Sequence, residues 1–187
     1  MRATDGFPKD TDVISHTQNW LERIVIGRGL CPFARRDFEA RRIDYAVITD
    51  SGLQNQLGHI LAAFEALARD NSFETSLLIF PRGLEDFGEY LDMLNIAQGL
   101  LLEAGYEGIF QLASFHPQYC FEGVSPQDAS NYTNRSPYPI VHILREASVA
   151  AVLRTYPDPE NIPARNIKLM RGLGVDAAAK ALRDCQP

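Results

Sequence analysis

Cysteine is scarce in this 187-residue chain: Cys31, Cys120 and Cys185 are odd in number and too widely spaced for a CxxC pair or a zinc ribbon. That argues against a disulfide-stapled scaffold and suits a reducing cytoplasm. No run approaches the roughly 18 apolar residues of a membrane-spanning helix, and the first dozen residues lack the apolar core of a signal peptide. We therefore expect a soluble cytoplasmic protein with no membrane partner. Basic charge is also short, 18 Lys and Arg against 24 Asp and Glu for a net charge of −6, which opposes a general nucleic-acid face. Phosphate-cradling glycine patterns are missing, since Gly27, Gly29 and Gly83 form neither GxGxxG nor a P-loop. The 4 histidines fall in no HxH or HExxH spacing, so no metal site is expected and no cofactor is assigned. There is no internal repeat and no low-complexity stretch.

What is present is the composition of a chain that buries a core: 45% hydrophobic and 22% charged residues. The length fits one domain over 1–187, preceded by a flexible segment over 1–10. Apolar spacing predicts a helix over 12–26, stopped by Gly27 and Gly29. A β-rich run at 44–49 reads as a strand, and Ser51 with Gln54 as the capping box of a helix reaching Arg69. The unbroken apolar run 75–80 predicts a central strand buried on both faces. A helix from near Leu84, with Phe87, Leu91, Leu94 and Leu101 inward, leads to a third strand at 108–115. Strands alternating with helices define two βαβ units, hence an α/β fold of three or more mostly parallel strands, or α+β if one connection turns antiparallel. Helices near 139–146, 148–155 and 162–184 are expected to complete the chain.

Between them lies residues 116–139, aperiodic and bearing four prolines, a length of loop that in a compact domain is usually functional. Two segments of the chain, Gly29-Leu30-Cys31-Pro32-Phe33-Ala34 and Ser114-Phe115-His116-Pro117-Gln118-Tyr119, together with Asp128 to Pro139 and His142-Ile143-Leu144-Arg145-Glu146, resemble a bacterial family known as domain of unknown function family 1415. The resemblance covers nearly the whole chain. It implies a bacterial cytoplasmic protein and carries no activity, cofactor or catalytic residue.

In open α/β sheets ligands bind beyond the carboxyl ends of the strands. That edge is expected to gather Asp50 and Ser51 from the first strand, Arg82 from the second and His116 from the third. Asp50 and Ser51 serve equally as helix caps, and His116 as a core histidine bonded to backbone. Asn131, Thr133, Asn134, Arg135 and Ser136 supply the amide, hydroxyl and guanidinium groups that recognise a carboxylate or phosphate, or else cap and brace the loop. Tyr132 and the other loop aromatics either wall a pocket or pin the loop. Cys31 becomes a nucleophile if Arg35 and Arg36 lower its pKa, and is otherwise inert packing. His142 and Glu146, four apart, would share a helix face. The resulting expectation is an enzyme with hydrolase- or transferase-like chemistry on a small anionic metabolite. His116 is its acid or base, Cys31 a nucleophile, and Arg82, Asn131, Tyr132, Asn134, Arg135 and Ser136 orient the anion. The alternative is a non-catalytic module that binds a metabolite or protein through the same loop.

Overall fold

A computed structural model describes residues 8–186, so the expected flexible N-terminal segment falls almost entirely outside the described residues. Helix α1 (Asp10–Trp20) runs without a break into a π-helical segment, Leu21–Ile26. The wider π turn is closed by Gly27, whose N–H donates to the Glu22 carbonyl at 2.8 Å. A Cβ built on Gly27 would lie 2.6 Å from the Arg23 carbonyl oxygen, so only glycine fits this close approach. Gly27→Ala is expected to lower stability by about 1–3 kcal/mol, the usual cost of forced overpacking, read from urea unfolding.

A short helix α2 (Ala34–Glu39) leads into β1 (Ile43–Val47), and α3 (Leu53–Arg69) crosses to β2 (Thr75–Ile79). The expected capping box does not form: Gly52, at φ 101°, is the N-cap of α3 and no side chain caps it. Helix α4 (Phe87–Glu103) is capped by Asp86, whose carboxylate accepts from the Glu89 N–H at 3.0 Å. It buries Tyr90, Met93, Ala97 and Leu101, whereas Leu91, expected inward, is exposed. Strand β3 (Phe110–Phe115) follows, and then β4 (Ile140–Arg145), a strand where a helix was expected. Six residues after a proline, four of them apolar, are too few to reveal their period, and pairing on both sides decides for strand.

The sheet order is β1-β2-β4-β3, with β1 and β2 parallel and β4 antiparallel to both β2 and β3. The mostly parallel sheet is thus corrected to a mixed one in which two of three pairings are antiparallel, within the broader α/β or α+β class. The insertion of β4 leaves β1, β2 and β3 pointing the same way. Their carboxyl ends meet at one edge, as Ile79 and Phe115 both pair with Ile140.

One face of the sheet, including Leu78, Val141 and Ile143, packs against Ile60 and Phe64 of α3 and Met93 of α4. The other carries Leu77, Ile79 and Ile140 against Val13, Trp20, Leu21 and Val25. That second face also receives helix α6 (Ile162–Leu173) and α7 (Val175–Arg183), parted by Gly174 at φ 84° while Gly172 stays helical. Helix α5 (Glu146–Leu153) directly follows β4 and buries none of its residues completely.

Candidate functional site: a pocket on the second face of the sheet

Cross-strand register places Thr75, Leu77, Ala113, Phe115, His142 and Leu144 on one face, because directly opposed residues project to the same side. Where α1 and the π-helical segment stop covering that face, α2 and α5 bridge the gap incompletely. A recessed cavity of about 260 Å³ remains, lined mainly by Leu21, Val25, Phe33, Leu77, Val149 and Val152. Cys31, Thr75, Glu74, Ser148 and His142 supply polar atoms to it, and Arg36, Asp37, Gln111 and Arg145 also line it.

The hydrogen bonds fix the protonation of His142. Thr75 Oγ1 lies 2.5 Å from the Ile143 carbonyl oxygen, which only accepts, and 2.6 Å from His142 Nε2. A hydroxyl has one proton, so Thr75 donates it to the carbonyl and Nε2–H of His142 donates to Thr75. Nδ1 is then a bare lone pair that meets no donor among the described residues. Burial depresses the pKa of His142 to about 4, which keeps the ring neutral at physiological pH. The largely apolar cavity thus holds an uncommitted imidazole acceptor on β4, beside the exposed amide of Gln111.

The other polar groups there are engaged. Glu74 accepts from Arg42 at 2.6 Å and from the Ser148 hydroxyl, which ties α5 to the start of β2. Burial raises the Cys31 thiol above its ordinary range, outweighing the N–H groups of Phe33 and Ala34 that favour the thiolate. Arg35 and Arg36, expected to activate it, are exposed and pair with Glu39 and Asp37. The nearby carboxylate of Asp37 raises the thiol further. Cys31 is a neutral wall residue of the pocket.

At the strand ends, His116 is fully buried between the rings of Phe87 and Tyr90, 5.1 Å from each. Its Nε2–H donates to the Leu84 carbonyl at 2.9 Å and its Nδ1 accepts from the Gln118 N–H at 3.0 Å. Nε2 therefore ties the loop to the segment before α4, and Nδ1 braces the loop's own first turn. Burial lowers its pKa as well. Asp50 pairs with His59 at 2.7 Å on the surface. Arg82 leaves β2 at the same sheet edge.

The polar loop closes on itself. Asn131 accepts from the Phe121 N–H at 3.1 Å and donates to the Ser125 carbonyl at 2.9 Å. Asn134 donates to the Ser114 carbonyl at 3.1 Å, and Ser136 to the Tyr138 carbonyl at 2.5 Å. Arg135 donates to the carbonyls of Tyr119 (3.1 Å) and Pro126 (3.0 Å), with its guanidinium 4.5 Å from the centre of the Tyr132 ring. Asp128 pairs with Arg171 of α6 and is held well below the usual carboxylate range by that partner. Among the described residues no group of three or more His, Cys, Asp or Glu is arranged to hold a metal ion.

His142 is not expected as a pocket residue if residues 139–146 form a helix, whereas strand β4 sets it on the pocket face. One signal was available: Ile140, His142 and Leu144 alternate, which places a lone imidazole on an apolar strand face. No helix among the described residues is long and apolar enough to cross a membrane.

These features define a protein of the α/β or α+β class whose mixed sheet carries a recessed, largely apolar pocket on one face. The chain belongs to a family described as protein of unknown function (DUF1415), whose pattern matches residues 12–180, nearly its whole length. No curated protein and no solved structure matches it.

Proposed function

We propose that this protein binds a small, mainly apolar molecule in the pocket beneath α5, and that the ligand donates one hydrogen bond to Nδ1 of His142. The observation that carries this reading is the acceptor at Nδ1 of His142, without a partner among the described residues and open to a largely apolar cavity, where a single polar point orients a ligand donor. Binding is favoured over reaction: no hydrogen bond links Cys31 to His142, the thiol is protonated, and Glu74 is committed to Arg42 and Ser148. Phenol and toluene, nearly equal in size, differ in that donor and serve as probes in calorimetric titration. Phenol should bind about five- to tenfold more tightly than toluene, the worth of roughly 1 kcal/mol for one net hydrogen bond. In His142→Leu that preference should vanish while toluene still binds. Equal affinities for both compounds in the unsubstituted protein would reject the role of His142.

The second reading places an enzyme acting on a small anion at the strand ends, with Arg82 orienting it. Gln56 favours it: this residue is 2% exposed, and its Nε2 lacks an acceptor. That amide points toward Gly83 and Ser51, beside the uncapped start of α3. His116 and the 131–136 segment support it less, since their polar atoms bind backbone. Titration with inorganic phosphate tests this reading: saturable binding that is weakened in Gln56→Leu and Arg82→Ala supports it, and no binding rejects it.

A further inference from the structure

A second cavity, about 570 Å³, lies between α6 and the 116–139 loop. Leu30, Phe121, Val124, Ile162, Pro163 and Ile167 give it an apolar lining. Three residues, Val25, Cys31 and Phe115, line both cavities and form the whole of the shared boundary. Phe115 also stands 6.2 Å from the His142 ring, centre to centre, so the acceptor and the boundary are adjacent.

We propose that the two cavities are the two halves of one elongated site, and that its ligand is a long-chain amphiphile. The neutral donor head, an alcohol or amide, sits at His142. The chain crosses the boundary at Cys31 into the cavity beneath α6. This rests on the reading of the first pocket given above and specifies its ligand class. Three features support it. The first cavity is small for a complete ligand, since sites of roughly 300–1,000 Å³ are usual, whereas the two together fall within that range. The second cavity is lined mainly by apolar side chains, Arg171 on its wall is neutralised by Asp128, bonded at 2.9 Å, and Oδ1 of Asn166 is its one buried polar atom without a partner among the described residues. It is therefore suited to a hydrocarbon chain. Finally, a carboxylate head is disfavoured at neutral pH, because a lone pair at Nδ1 repels it, and this selects the neutral donor.

A series of primary n-alkanols tests the proposal by calorimetry, because their hydroxyl meets His142 and their length varies alone. In the unsubstituted protein the affinity should rise about fourfold per added methylene, past the length that fills the first cavity. In Ile167→Trp, which fills the second cavity and does not line the first, the gain should stop at a shorter chain while phenol affinity is retained. Should that variant fail to fold, alkylation of Cys31 by N-ethylmaleimide in the unsubstituted protein, followed by peptide mass spectrometry, gives an independent reading. At equal occupancy of the first cavity, long alkanols should slow it severalfold more than short ones. A chain-length limit common to both proteins, or equal protection of Cys31 by short and long alkanols, would overturn the two-cavity ligand. Phenol binding that depends on His142 would then still stand, whereas its absence would remove the first pocket reading itself.

Discussion

Arg135→Ala is expected to destabilise the protein by about 2–4 kcal/mol and leave phenol affinity of the folded fraction unchanged. Hydrogen bonds from a charged donor are worth roughly 1.5–3 kcal/mol, and this side chain makes two of them, to the Tyr119 and Pro126 carbonyls. It also stacks on Tyr132, while its own carbonyl accepts from Trp20 Nε1 at 3.0 Å. The residue joins three parts of the loop and sets that loop against α1. For a chain of this size each kcal/mol moves the melting temperature by about 2–4 °C, so a fall of roughly 5–15 °C is expected by scanning calorimetry. Arg135→Lys should rescue little, because one ammonium lacks the planar fork that reaches both carbonyls. An unchanged melting temperature with lost phosphate binding would return this residue to ligand recognition.

The second large effect is a loss of stability in mild acid. Folding depresses the pKa of His142 from its ordinary 6.5 to about 4. Between those values the unfolded chain takes up a proton that the folded chain refuses. Stability is therefore fully present above pH 6.5, falls as pH drops, and is lost by about pH 4, amounting to roughly 3 kcal/mol. His116, also lowered by burial, acts in the same direction. Asp70 and Asp128 are held below their ordinary value of 3.8, so their contribution disappears only at lower pH. Urea unfolding from pH 7.5 to 4 should show the decline, and His142→Leu should flatten most of it. An equally steep decline in that variant would mean that His142 is already charged or solvated in the folded protein.

Element by element, legibility followed the number of turns or pairings that a segment could show on its own. The helices α3 and α4 and the strands β1, β2 and β3 were each recoverable, since a run of 17 helical residues displays its stripe and strand β2, buried throughout, ends in the apolar run Leu77-Leu78-Ile79. Strand β4 was not, because its identity comes from two neighbours supplied by distant chain. That single misreading changed the sheet from parallel to mixed and hid His142. The π-helical turn was equally invisible, as its i to i−5 bonds leave the same apolar spacing over two turns. The loop was correctly singled out as unusual, but composition cannot distinguish amides that face a ligand from amides that face backbone. Asn131 and Arg135 are of the second kind.

The open acceptor at Nδ1 of His142 is tested directly by nitrogen NMR of protein labelled with ¹⁵N-histidine. At pH 7 His142 is expected to carry its proton on Nε2, and Nδ1 to resonate as an unprotonated imidazole nitrogen. Addition of phenol should shift Nδ1 strongly toward hydrogen-bonded values, while toluene should leave it nearly unmoved. A protonated Nδ1, an imidazolium at pH 7, or an Nδ1 signal indifferent to saturating phenol would contradict it.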